Sequence, residues 1–262
     1  MSVERQHLGN VEVLRQSGSG TPYVMLHGIG SAADSFLPLM AMLADADCIA
    51  WNMPGYGASP PLLAGWPSPD DYAAALLAML KAGGIARCHL VGHSLGNVNA
   101  CRFALLYPDF VAHYTALSPA LGYGTAPGAA LPAGVQARLD DFSTLGAPAM
   151  ALARASRLVY RPEDRPHVLK AVCDAMSRVS APGYVQASRL LACADVLADA
   201  AAVRVPSSVA IGADDVITKP ANGERLATAL RTGRLHIVAN AGHALPQEQP
   251  ATIARLLRDI AI

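Results

Sequence analysis

The sequence predicts an α/β fold, with a mostly parallel central sheet, helices on both faces and an inserted helical cap. Three observations predict it. Short apolar runs alternate with segments of helical periodicity, the rhythm that parallel strands joined by crossover helices require. That rhythm lapses over residues 119–202, where helical patterns persist without a convincing strand, and it then resumes. The chain of 262 residues is 52% hydrophobic and 15% charged, which suits a large core and argues against disorder.

The elements follow in order. Val11-Glu12-Val13-Leu14 alternates after a Gly9-Asn10 turn, the pattern of an edge strand. Tyr23-Val24-Met25-Leu26 is an unbroken apolar run, as in an interior strand, and opens into the glycine-rich loop His27-Gly28-Ile29-Gly30. Residues 35–43 have helical spacing, and Asp47-Cys48-Ile49-Ala50-Trp51 is the next strand, ending in turn formers from Asn52 to Ser59. A helix is expected over residues 70–81, capped by Ser68 or Asp70 and stopped by Gly83-Gly84. A short buried strand at 88–91, a helix at 95–107 and the strand Tyr114-Thr115-Ala116-Leu117 complete the first part of the core, residues 1–118.

The cap, residues 119–202, begins with a Gly/Pro-rich stretch and must be helical, because a structureless loop of that length is improbable in a compact domain. Val168, Val172, Met176 and Val179 share one helical face within it. The second part of the core, residues 203–262, has strands at 208–211 and 235–238 and a helix over 222–230. Its final helix carries Ile253, Leu256, Leu257 and Ile260 on one stripe.

Charge and composition exclude several functions. The 20 basic residues balance 20 acidic ones, so neither nucleic acid nor a membrane surface is an expected partner. The polar opening residues lack the apolar stretch of a secretory signal. Residues 114–137 are uncharged, but Pro119, Pro127 and Pro132 rule out a spanning helix there. Cys48, Cys88, Cys101, Cys173 and Cys193 are widely spaced and read as free thiols, Cys101 as core packing, which places the protein in the cytoplasm. His7, His89, His113, His167 and His236 lack metal-ligand spacing, and neither a metal nor a cofactor is expected. A small-molecule substrate is the expected partner, and the oligomeric state stays open.

The segment Leu90-Val91-Gly92-His93-Ser94-Leu95-Gly96-Asn97 carries the chemistry. A serine between strand and helix, flanked as Gly92-x-Ser94-x-Gly96, is the form of a nucleophile elbow. The turn is so tight that larger side chains at 92 or 96 would strike neighbouring chain, and the hydroxyl projects beyond the strand. Serine is a weak nucleophile near neutral pH and needs a base in reach and a group to orient it. In an open α/β sheet such groups gather at the carboxyl ends of strands. Asp215 and His243 lie at two such ends, giving the order serine, acid, histidine; Asp214 competes with Asp215 for the acid's place.

Five motifs in this order resemble the α/β-hydrolase fold enzymes of the lid-bearing kind. His27-Gly28-Ile29-Gly30 is similar to their oxyanion loop, and Asn52-x-Pro54-Gly55-x-Gly57-x-Ser59 to their D-x-P-G-x-G-x-S loop. Gly92-x-Ser94-x-Gly96 is their elbow, Gly212-x-x-Asp215-x-Ile217 through Pro220 resembles their acid motif, and Ala241-Gly242-His243 their histidine motif. The resemblance implies Ser94 as nucleophile, His243 as general base and later acid, Asp215 as orienting carboxylate, and the backbone N–H groups of Ile29 and Leu95 as oxyanion donors. Two positions depart from the pattern: Asn52 replaces the usual aspartate, and Asn97 stands where relatives often have glycine.

The resemblance implies a serine hydrolase that cleaves a small, largely apolar carboxylic ester or lactone through an acyl-enzyme. Met150, Leu152, Tyr160, Met176 and Tyr184 are candidate walls from the cap, and His27, Gly28, His93, Tyr160 and Met176 candidate substrate contacts, although His27 also suits a loop brace and His93 a support. A buried arginine in the pocket, such as Arg154, Arg157 or Arg189, would indicate an acid-bearing substrate. One alternative is hydrolytic C–C cleavage of a vinylogous diketone acid, which Ser94-Leu95-Gly96 and Arg102-Phe103-Ala104-Leu105-x-Tyr107-Pro108 resemble. Against it, His93 and Ala244 replace the asparagine and tryptophan usual in that group. The other alternative is a ligand-binding receptor on the same fold.

Overall fold

The structure, a computed structural model, describes residues 2–232 and 234–259. Eight strands form one sheet: β1 (Val3–Leu8), β2 (Val11–Gln16), β3 (Ser19–Leu26), β4 (Ala46–Trp51), β5 (Cys88–His93), β6 (Val111–Leu117), β7 (Ser207–Gly212) and β8 (Leu235–Val238). Their order is β1-β2-β4-β3-β5-β6-β7-β8. β2 pairs antiparallel with β1 and β4, and every other pairing is parallel. The helices are α1 (Leu37–Met42), α2 (Pro69–Ala82), α3 (Leu95–Leu106), α4 (Ala133–Arg154), α5 (Pro166–Ser177), α6 (Ala181–Cys193), α7 (Val196–Ala202), α8 (Lys219–Ala229), α9 (Leu245–Glu248) and α10 (Pro250–Asp259). The α/β fold with a mostly parallel sheet is as expected.

Successive side chains of a strand point to opposite faces, and both faces here are covered. Val24, Ile49, Leu90 and Val209 pack with Leu76 of α2, Phe103 of α3, Val196 of α7 and Leu226 of α8. Met25, Ala50, Val91 and Leu117 point the other way, onto Leu39 and Met40 of α1 and Ile253 and Leu257 of α10. This two-sided burial explains why the interior strands are unbroken apolar runs. In α10 Leu256 packs at the margin of this core, and Ile260 lies outside the described residues.

Several elements differ from the pattern read in the sequence. The edge strand is β1, not the segment 11–14, which lies inside β2 between β1 and β4. Its alternation misleads because Glu12 is buried against Asn52 and Ser59 rather than exposed to solvent. Residues 35–43 divide into a 3₁₀ turn, Ala33–Phe36, followed by α1. Ser68 is the N-cap of α2, in a capping box with Asp71 that uses both partners' side chains.

Among the described residues, none between β6 and β7 joins the sheet. That insertion closes at a neck where Gly122 pairs with Asp195 and the Val196 N–H donates to Leu121 O at 3.0 Å. α4 packs on α5 and α6 and breaks direction at Gly146 (φ 70°, ψ 167°), just before Pro148. Past the neck, α7 packs on α3 and α8. The insertion meets the core at close range: a Cβ on Gly183 of α6 would lie 2.1 Å from Gly55 O, and one on Gly55 2.4 Å from the Gly183 Cα. Ser180, the N-cap of α6, donates to the same Gly55 carbonyl at 2.8 Å. Among the described residues, no helix is long and apolar enough to cross a membrane.

Candidate active site

Ser94 lies between β5 and α3 with φ 53° and ψ −115°. A non-glycine residue held there costs about 1–3 kcal/mol, and the surroundings must enforce it. They do so at the backbone. The Ser94 N–H donates to Leu117 O at 3.0 Å, and its carbonyl accepts from the N–H groups of Asn97 (3.0 Å) and Ala120 (3.2 Å). A Cβ on Gly92 would lie 2.6 Å from Gly96 O, and one on Gly96 only 2.0 Å from Leu26 O, so both flanking positions require glycine. Asn97 is not a packing fault: it accepts from the Tyr114 hydroxyl and donates to Ala120 O at 3.0 Å, fixing the turn that follows β6.

Three side chains from three strand ends meet here. His243, in the loop after β8, has Nε2 at 2.9 Å from Ser94 Oγ and Nδ1 at 2.9 Å from Asp215 Oδ2. With Nδ1–H donating to the carboxylate, Nε2 is free to accept from the serine hydroxyl. Asp215, in the loop after β7, is 2% exposed, whereas Asp214 is exposed and makes no contact with His243 among the described residues. The Asp215 Oδ1 accepts from the N–H groups of Ile217 (2.8 Å) and Thr218 (3.0 Å), and Oδ2 accepts from the Thr218 hydroxyl at 2.8 Å. Burial alone would raise the Asp215 pKa, but His243 and the Thr218 donors outweigh it and hold the carboxyl well below the usual carboxylate range. Thr218 Oγ1 is also 3.4 Å from His243 Nδ1, so one hydroxyl touches both partners. Its role was missed in the sequence, although a threonine three residues after the acid is the available signal.

The flanking loops are braced from behind. His27 is fully buried; its Nδ1–H donates to Gly28 O (2.8 Å) and its Nε2 accepts from the Met53 N–H (3.1 Å). The Tyr56 hydroxyl donates to Ile29 O at 2.5 Å, and its ring lies 5.0 Å from that of His27. Asn52 accepts from the Ala33 N–H at 2.9 Å and donates to Glu12, whose carboxylate also takes Arg5 and the Ala58 N–H. An aspartate at 52 would set two carboxylates face to face, so the amide there belongs with the acid at 12. His93 donates from Nε2 to the His243 carbonyl at 2.7 Å, while its Nδ1 is buried and unpartnered among the described residues. Burial lowers His27 to about 4 and His93 to about 3, so both are neutral at pH 7. Glu248 ties the histidine loop to the insertion: it accepts from the N–H groups of Gly242 (3.0 Å) and Tyr160 (2.8 Å) and pairs with Arg165 (2.9 Å).

A cavity of about 440 Å³ opens over Ser94 and His243. Gly28, His93 and Met176 line it, as do Ile29 and Leu95, whose N–H groups have no acceptor among the described residues. His27 and Tyr160 are not in its wall: the first sits behind the loop, and the second lies under the guanidinium groups of Arg161 and Arg165. Of the other expected cap walls, Tyr184 lines the cavity, Met150 is buried in the core and Leu152 is 76% exposed. Arg154 and Arg157 do face the cavity, joined by Arg138 and Arg225, whereas Arg189 stacks over Trp66 and donates to Gly65 O.

Residues 23–256 match the sequence profile of the alpha/beta hydrolase family. The chain is 31% identical over 234 residues to a pimeloyl-(acyl-carrier protein) methyl ester esterase of Chromobacterium violaceum, across 87% of this chain and 89% of that one. Among solved structures, the enol-lactonase from Burkholderia xenovorans LB400 is similar with a TM-score of 0.84 at 21% identity, covering 98% of this chain and 99% of that one. The 2-hydroxy-6-oxo-6-phenylhexa-2,4-dienoate hydrolase from Rhodococcus sp. strain RHA1 gives 0.77 at 20% identity, with 99% of each chain covered. The structural likenesses bear on fold, and together with the profile and the esterase they lead to one conclusion: the chain belongs to the alpha/beta hydrolase family.

Proposed function

We propose that this hydrolase cleaves a small carboxylic ester or lactone through a serine acyl-enzyme, with Ser94, His243 and Asp215 as its triad. The observation that carries the reading is the unbroken relay from Ser94 Oγ to His243 Nε2 and from His243 Nδ1 to Asp215 Oδ2, both steps 2.9 Å, at the floor of the cavity. In this reading Ser94 Oγ attacks the carbonyl carbon as His243 Nε2 takes its proton, and the carbonyl oxygen becomes an oxyanion held by the N–H groups of Ile29 and Leu95. Collapse of the intermediate expels the alkoxide, to which His243 returns the proton. Water then repeats the sequence and releases the acid. Asp215 stays ionised throughout, fixes the imidazole tautomer and offsets the charge of the transient imidazolium.

Fluorophosphonate labelling tests the reading. The expected result is one covalent adduct on Ser94, absent from Ser94→Ala, together with a fall in ester hydrolysis of about 10⁵ to 10⁶-fold in that variant. Full activity in Ser94→Ala, or no adduct on the folded wild-type protein, would refute it. 4-Nitrophenyl esters, lactones and a meta-cleavage product, assayed side by side, separate the ester reading from C–C cleavage. The ligand-binding receptor alternative has nothing in the site to favour it, since all three members of the relay are present.

A further inference from the structure

The chain as a whole is balanced, with 20 basic and 20 acidic residues, but the cavity wall is not. Arg138 and Arg154 from α4, Arg157 from the turn after it and Arg225 from α8 line it, and none of the lining residues is an aspartate or glutamate. The four are not equivalent. Arg154 is paired with Asp141, and Arg157 and Arg225 are exposed. Arg138 is half-buried and has no ion pair or hydrogen bond among the described residues, and its Nε is wholly buried without a partner. The carboxylates beside it in sequence are engaged elsewhere, Asp140 with Gln136 at 2.8 Å and Asp141 with Arg154. A guanidinium with no carboxylate of the protein to pair with is free to take an anion that enters the cavity.

We propose that Arg138 receives a carboxylate of the substrate, so that the ester or lactone cut at Ser94 carries a free carboxyl group apart from the bond that is broken. The proposal rests on the serine-hydrolase reading above and names its substrate class. Arg138 is placed for it. It lines the same cavity as Ser94 and His243. Leu121, Met176 and Tyr184 supply apolar wall for a short carbon chain. A planar guanidinium fork matches a carboxylate, and the acid-free wall repels no part of such a substrate.

The test compares two esters of equal chain length, mono-4-nitrophenyl glutarate and 4-nitrophenyl valerate. In the wild-type protein, kcat/KM for the glutarate is expected to exceed that for the valerate by about tenfold or more, as a charge-assisted hydrogen bond allows. Arg138→Met is expected to lower that ratio by at least about tenfold, mainly through KM, with Arg138→Lys between the two. A ratio that Arg138→Met leaves unchanged, or a wild-type preference for the valerate, overturns the proposal. If Arg138→Met does not fold, Arg138→Gln gives the same readout. A binding arm needs no turnover: monomethyl glutarate is titrated calorimetrically into Ser94→Ala and into Ser94→Ala/Arg138→Met. Binding that the second substitution abolishes upholds the carboxylate site even if labelling has refuted the triad, and no binding to Ser94→Ala overturns it.

Discussion

The sheet and the insertion face the same cavity but are built to different tolerances. On the sheet side the groups of the proposed triad are fixed by main chain: the Ser94 backbone makes three hydrogen bonds, Asp215 accepts two backbone N–H groups, and the glycines of the elbow abut carbonyls. On the insertion side the wall is side chain, from Met176, Tyr184, Leu191 and the arginines of α4. Those helices meet the core at the neck at Gly122, at the Gly55–Gly183 contact, through Gln186 and Arg189 on the loop at 62–65, and through the bonds from the histidine loop to Leu158 and Tyr160. Chemistry needs sub-ångström placement, whereas binding a particular substrate needs shape and charge that can change by single substitutions. On the proposed function, the contrast assigns rate to the sheet and selectivity to the insertion.

The sharpest way to break that division is at the acid. Asp215→Asn should cost about 10² to 10⁴-fold in kcat, because an amide can present the wrong atom to His243 Nδ1 and cannot offset an imidazolium. Asp214→Asn, one residue away and exposed, should change kcat by less than about twofold. Steady-state kinetics with one 4-nitrophenyl ester decide it, and a larger loss in the Asp214 variant would move the acid.

Two glycine variants separate the regions by stability. Gly96→Ala forces a methyl group to within 2.0 Å of Leu26 O in the sheet and should lower the unfolding free energy by at least about 3 kcal/mol, measured in urea. Gly183→Ala creates an equally close contact, 2.1 Å from Gly55 O, but its relief is for α6 to move off the core. It should therefore raise KM several-fold and speed proteolysis within the insertion while the main unfolding transition shifts less than in Gly96→Ala. Equal loss of global stability in the two variants would mean that insertion and sheet unfold as one.

What the sequence made legible follows the same line. That Ser94, Asp215 and His243 would meet, with Gly92 and Gly96 beside the serine, was readable because a strained turn and a strand end admit few residue types at fixed spacing. The unbroken apolar runs of β3 and β5 were readable because burial on both faces leaves no polar position. β1 was not, since its polar exposed face hides the alternation, and the 3₁₀ turn before α1 carries no periodicity of its own. In the insertion the helical face of Val168, Val172 and Met176 was legible, and all three are buried. Which side chains reach the cavity was not, because that depends on how helices cross. Leu152 and Met176 look alike as sequence and end on opposite sides of the insertion. Arg138 and Thr218 escaped for a related reason, since their meaning comes from what they do or do not touch.

A subtler effect, from a buried histidine beside the proposed triad, appears in acid. His93 is expected near 6.5 when unfolded and is held at about 3 by burial in the native protein. As pH falls below about 6.5 the unfolded chain takes up this proton and the folded chain does not, so stability is lost progressively between those values and is unaffected above them. In His93→Asn that uptake is gone, and the slope of unfolding free energy against pH between 6 and 4 should flatten by up to about 1.4 kcal/mol per pH unit. Urea titrations at half-unit intervals read the slope, and a wild-type slope in the variant would show that His93 is not the residue kept neutral. The lost bond to the His243 carbonyl lowers stability at every pH alike and does not imitate the effect.

The smallest effects lie wholly within the insertion. Met176 stands over Gly30, its Cε 3.1 Å from where a Cβ on that glycine would be, and it narrows the cavity beside the glycine-rich loop at 27–30. Met176→Ala should shift preference toward longer acyl chains, raising kcat/KM for an octanoate relative to a butyrate ester by a few-fold and up to about tenfold. Leu152→Ala removes a comparable volume from a side chain that is 76% exposed, and should leave both that ratio and the urea midpoint within error. A chain-length shift in Leu152→Ala equal to that of Met176→Ala would mean that the insertion acts on substrate through its overall packing, and selectivity could then not be read from the cavity wall residue by residue.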